Sequence, residues 1–129
     1  MKALVIDEPW ITAILKGDKT WEMRKKNCNI RGQIALIRKG SSHVVGTANV
    51  VDSRPPLATR ADYAAAEQQH RIPLARQEQA FTDGWRTPWV LANARPLQKA
   101  VRYKHPSGAV VWVNLDPDVT AQVLAQATT

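Results

Sequence analysis

The sequence predicts an α+β domain, a small β-barrel of about five or six strands with helices at its periphery. Three observations lead there. Short period-two runs of apolar and polar residues recur along the chain, as they do in half-buried strands. Helical spacing appears only near the start, in the middle and at the end. The 129 residues, 44% of them hydrophobic, suit one compact unit over 1–129, with no repeat, low-complexity tract or long linker to divide it.

Taken in order, Ala3-Leu4-Val5-Ile6 reads as a short buried strand. Asp7 or Glu8 then caps a helix with Pro9 in its first turn and Trp10, Ile11, Ile14 and Leu15 at helical spacing, and Gly17 ends it. Across Thr20-Trp21-Glu22-Met23-Arg24 the period changes to two, with Thr20, Glu22 and Arg24 on one face and Trp21 and Met23 on the other. Residues 25–31 read as a basic loop and 33–38 as a strand. A tight polar connection over 39–43 leads to a second strand over 44–51, interrupted by Gly46. Ser53-Arg54-Pro55-Pro56 breaks the pattern. The Ala-, Gln-, Glu- and Arg-rich segments 58–69 and 74–81 predict two short helices separated by Pro73, a central insertion around 58–82 on the β core. Strands resume at 89–91, 97–103 and 109–113, with Pro106-Ser107-Gly108 as the turn before the last, and Asp116-Pro117-Asp118 starts a final helix over 119–126.

Composition excludes several classes. Apolar stretches such as Ala109 to Val113 run to about five residues, against the roughly 20 that a membrane helix needs, so no membrane span or secretory signal is expected. Cys28 alone cannot form an internal disulfide, and one Cys with three scattered His is a poor pool for a zinc site. The expectation is a cytoplasmic protein with no metal and no cofactor. Eighteen Lys and Arg against eleven Asp and Glu give a net charge of +7, which points to an anionic partner. Eight of those cations lie between Lys16 and Lys39, against only Asp18 and Glu22, so the asymmetry sits in one short segment. A solvated face that keeps the protein soluble is the competing account.

The segment with the most chemistry is Gly17-Asp18-Lys19-Thr20-Trp21-Glu22-Met23-Arg24. A turn presents Lys19, and the strand after it projects Glu22 and Arg24 from one face, so three groups of opposite sign converge. Arg24 offers a planar fork to a phosphate or a base edge, Glu22 accepts from an exocyclic amine or orients water, and Lys19 is a point charge or proton carrier. A surface ion-pair network is the alternative.

The same residues carry a resemblance. Ile6-Asp7-Glu8-Pro9-Trp10, followed by Gly17, Lys19, Glu22 and Arg24 at the spacing GxKxxExR, resembles the ASCH domain family, and Trp89 to Leu97 and Tyr103 to Trp112 are similar to its closing strands. The resemblance implies a PUA-like barrel, a cleft lined by the hallmark residues, and RNA or a nucleotide as partner. It also implies metal-independent hydrolysis, because the family includes amidohydrolases of N4-acetylcytidine and members described as ribonucleases. A non-catalytic RNA-binding module is the alternative. The amidohydrolase branch uses a lysine, a threonine and a glutamate. Lys19 matches the lysine, Glu22 stands at the threonine position, and the glutamate falls near Glu67, Gln69 and His70 without a clear match.

Further expected contacts follow from residue type. Lys25, Lys26, Arg31 and Lys39 are expected on phosphates, and Ser41, Ser42 and His43 of the Gly-Ser connection offer hydroxyls and N–H groups to one. Trp10 and Trp85 are candidates for stacking a base, and His70 for a place in the cleft. Trp21, Trp89 and Trp112 read as core.

Overall fold

A computed structural model describes residues 1–127. Six strands form one curled sheet: β1 (Lys2–Ile6), β2 (Trp21–Arg24), β3 (Gly32–Arg38), β4 (His43–Ser53), β5 (Thr87–Arg102) and β6 (Trp112–Asn114), in the order β2-β5-β4-β3-β1-β6. The neighbours pair antiparallel except β1 and β3, which run parallel. Five helices surround the sheet: α1 (Trp10–Leu15), α2 (Arg60–Ala65), α3 (Glu67–His70), α4 (Leu74–Thr82) and α5 (Pro117–Ala127). The barrel is open, since β2 and β6 end the order without pairing.

Alternation along the strands builds two cores. Leu4 and Ile6 of β1 with Ile34 and Leu36 of β3 face one side, where Ile11 and Ile14 of α1 close over them. Ala3 and Val5 with Ala35 and Ile37 face the other, covered by Val119 and Val123 of α5. Both faces are buried, so β1 and β3 carry near-continuous apolar runs in place of strict alternation. The central helices make a third cluster, with Tyr63 and Ile72 packed on Met23 of β2 and against Trp10 and Trp21.

Local sequence explains the ends of these elements. Glu8 starts α1, its carboxylate accepting from the Thr12 N–H at 3.1 Å and the Thr12 hydroxyl at 2.6 Å. Gly17, at φ +83°, supplies the left-handed residue that turns the chain from α1 into β2. Asp116 caps α5 by accepting from the Val119 N–H.

Two expectations need correction. The stretches 89–91 and 97–103 are one strand of 16 residues, β5. Pro96 does not break it, because it lies opposite Gly46, where the β4–β5 register shifts and no regular ladder bond is asked of its nitrogen. The first residues of β5 pair with β2 on one edge while β4 follows the other edge from Trp89 to Arg102. The strand expected over 109–113 is only Trp112–Asn114, since Ala109 closes a turn to Pro106. Gly46 also marks a close approach: a Cβ there would meet the Leu15 side chain and lie 2.7 Å from the Arg95 carbonyl oxygen. Gly46→Ala is therefore expected to destabilise the fold by about 1–3 kcal/mol, read in urea unfolding.

Candidate functional site

The open side of the barrel is a cleft of about 1030 Å³ between β2, the end of β1 and α4. The turn at Gly17 and the pleat of β2 place three of its groups. Lys19 precedes β2 and is only 2% exposed. Its Nζ donates to the His70 carbonyl at 2.6 Å and stands 3.9 Å from Glu22 Oε1 and 5.2 Å from the centre of the Trp10 ring. Glu22 and Arg24, two apart on β2, share a face as the period predicts. Arg24 Nη2 and Nε lie 2.8 and 3.0 Å from Glu22 Oε2.

Arg24 also reaches across the barrel. Its Nη2 donates to the Val5 carbonyl on β1 at 3.0 Å, although β1 and β2 are far apart in the sheet order. Trp89 of β5 and Trp112 of β6 stack across the same gap, with ring planes 11° apart and centroids at 5.9 Å. Arg24 sits 5.4 Å from the Trp89 ring. These contacts do the work that strand pairing does in a closed barrel. They also fix the floor of the cleft.

Burial sets the protonation chemistry. Removal from water lowers the Lys19 pKa from 10.5 to about 8, with Arg24 pushing the same way and Glu22 opposing. The Arg24 fork is committed to Glu22 Oε2 and Val5, so its first task is to hold Glu22, while Oε1 is the carboxylate oxygen turned toward Lys19.

The cleft gathers Lys19, Glu22, Arg24, Lys25, Lys26, Lys39, Trp10 and Trp85 from the sequence-predicted set. The remaining members lie elsewhere. Arg31 donates to the carbonyls of Cys28 and Ile30 and ties its own loop. Ser41 and His43 are bound within their connection, through the Arg38 and Ser41 carbonyls, and Ser42 lines a separate shallow depression with Arg102 and Lys104. His70 is fully buried. Its Nδ1 accepts from the Ile72 N–H, so Nε2 carries the proton and donates to the Tyr63 carbonyl. Burial lowers its pKa, and the ring is a neutral core group. It serves the site through its main-chain carbonyl. Thr20 is exposed outside the cleft lining, and Glu67 is engaged by Gln77.

Sequence reasoning missed three cleft residues. Arg76 of α4 comes from a segment read only as helix, and its guanidinium lies 5.3 Å from the Trp10 ring. Trp89 and Trp112 sit in the core as expected, Trp89 buried and Trp112 packed against the same cluster, and both also line the cleft. The Ala75, Arg76, Gln79, Ala80 spacing on α4 is the one signal that marks a single inward face. Among the described residues no group of three or more His, Cys, Asp or Glu is placed to hold a metal ion. No described helix is long and apolar enough to cross a membrane.

A family model described as the ASCH domain matches residues 4–100. The crystal structure of ASCH from Zymomonas mobilis is similar, with a TM-score of 0.71 at 13% identity over 96% of this chain and 93% of that one. A tyrosine-to-phenylalanine variant of the Zymomonas mobilis protein gives 0.71 at 14% identity, covering 96% of each chain. Its serine-to-alanine variant gives 0.70 at 14%, covering 96% and 94%. No curated protein matches in sequence. At such identities the likeness is one of fold.

Proposed function

The chain belongs to the ASCH domain family, and on that premise we propose that it is a metal-independent hydrolase of RNA or of a modified nucleoside, with Lys19 as the proton carrier of the cleft. One observation carries the reading. Lys19 is a buried amine on the cleft floor whose pKa falls to about 8, beside a carboxylate held in place by an arginine. Near that pH both of its forms are populated. Neutral Nζ takes a proton from the attacking water or ribose hydroxyl, and the ammonium returns one to the departing nitrogen or oxygen, so no net proton is needed. Glu22 Oε1 orients the nucleophile or accepts from a base amine. The PUA-like fold is generally associated with RNA, and Lys25, Lys26, Lys39 and Arg76 supply the rim with cations.

The binding-only reading has an observation of its own. Lys19, Glu22 and Arg24 all have protein partners in the free chain, as groups that merely recognise a base also would. Turnover separates the two. In EDTA, with a short single-stranded RNA and with cytidine acylated at N4, the hydrolase reading expects turnover that rises through pH 8 and depends on Lys19. Turnover indifferent to Lys19→Ala, or present only with added metal, overturns it; binding without turnover leaves the module. Affinity for the RNA is expected to fall with log salt at a slope of roughly −3, for about four phosphates neutralised on the rim.

A further inference from the structure

Four cations lie over tryptophan rings in the cleft, and they fall into two kinds. Lys19 over Trp10 and Arg24 over Trp89 are committed to protein oxygens. Arg76, 5.3 Å from the Trp10 ring, and Lys25, 4.9 Å from the Trp85 ring, are exposed, and their side chains make no hydrogen bond or ion pair among the described residues. A cation held by a carboxylate spends its N–H donors on that partner. One seated on an aromatic face is positioned while its donors stay free. We propose that Arg76 and Lys25 are a two-point phosphate clamp, and that the ligand of the cleft is a single strand with at least two phosphates, running along α4, in preference to a free nucleoside. This rests on the reading of the cleft as a nucleotide site.

The spacing supports two phosphates over one. Arg76 lies in the first turn of α4, and Trp85 follows its last residue, Thr82. The Trp85 N–H bonds back to the Ala80 carbonyl, so the rise of α4 between Arg76 and that turn sets the two seats about 6 Å apart along the axis, the order of the step between successive phosphates of an extended strand. Ala75, Gln79 and Ala80 lie on the same cleft-facing side of α4, with only Asp83, hydrogen-bonded by Gln79, as a carboxylate along it. The Trp85 seat is fixed from behind, because its carbonyl accepts from the Tyr63 hydroxyl at 2.7 Å. Neither Trp10 nor Trp85 is then a bare platform for a base. Each is the backing of a cation.

The test measures affinity for a hexanucleotide of single-stranded RNA as salt is varied. Arg76→Gln and Lys25→Gln are each expected to weaken binding about tenfold at low salt. Each should flatten the salt slope by about 0.7, and together by about 1.4. Trp85→Leu, which removes a seat and no charge, should reproduce most of the Lys25→Gln loss. Lys26→Gln, on the same rim without an aromatic seat, should cost less than either. Equal losses at Lys26, Lys25 and Arg76 mean diffuse attraction and overturn the clamp, as does a wild type that binds cytidine as tightly as the hexanucleotide. Arg76→Lys keeps the charge and should keep the slope; a slope lost there also overturns the clamp. Turnover is read separately on the hexanucleotide and on cytidine acylated at N4, so a hexanucleotide clamped with neither substrate turned over sinks the hydrolase reading and leaves the clamp standing.

Discussion

Replacing Lys19 by Met is expected to cut turnover about 10²–10⁴-fold and, with no substrate present, to remove a rise in stability between pH 8 and 10.5. The second effect follows from burial alone. In the unfolded chain Lys19 titrates near 10.5, and in the fold near 8. Below pH 8 both states hold the proton, and the fold bears the full cost of a buried ammonium. Between the two values the unfolded chain binds more protons than the folded one, so stability rises with pH. The gain is complete above 10.5 and amounts to about 3 kcal/mol. Tyr63 acts with the opposite sign at the top of this window, because burial pushes its pKa up to about 12 and the unfolded phenol ionises first. The informative quantity is therefore the difference between wild type and Lys19→Met in urea unfolding from pH 7.5 to 9.5. A difference that does not change with pH would show that Lys19 is solvated, and the proposed proton carrier would lose its basis.

The sequence made Glu22 and Arg24 legible as a pair because a strand's period of two is enforced by its backbone, whatever surrounds it. The order of helices and strands was legible for the same reason, together with Gly17 and Asp116 as local stop and start signals. Lys19 shows where such reading stops. Gly17-Asp18-Lys19 looks like a solvated turn, and what buries the amine is the His70 carbonyl, 51 residues away, with Trp10 alongside. His70 misled for the converse reason: a polar side chain at the end of an Ala-rich helix looks exposed until both ring nitrogens find main-chain partners. Arg76 carried only the weak signal of the Ala75, Arg76, Gln79, Ala80 spacing, since an exposed arginine on a short helix is ordinary until the helix is docked against Trp10. The division of β5 into two expected strands has a different origin. The strands expected at 89–91 and 97–103 stop on either side of Pro96, whereas a register shift at Gly46, opposite it, lets β5 run through.

Arg24→Ala is expected to destabilise the protein by about 3–5 kcal/mol, the cost of leaving a buried charge without its partner. Glu22 is 6% exposed, and Arg24 supplies its Oε2 with a hydrogen bond from Nε and an ion-pair contact from Nη2; Lys19, at 3.9 Å from Oε1, is too far to replace them. The same substitution frees the Val5 carbonyl and unties β2 from β1, leaving the Trp89–Trp112 stack to bridge the open barrel. These two losses are separable. Adding Glu22→Gln to Arg24→Ala removes the stranded charge and should recover a large part of the stability, whereas the lost tie to Val5 is not restored by any change at Glu22. A double-mutant cycle in urea at pH 7 measures the division. A strong coupling between the two positions assigns the stability of the cleft floor to the ion pair. A loss near the single-mutant value in both backgrounds assigns it to the bridge across the barrel, and a loss under about 1 kcal/mol would mean that water reaches Glu22 and that the pair is an ordinary surface contact.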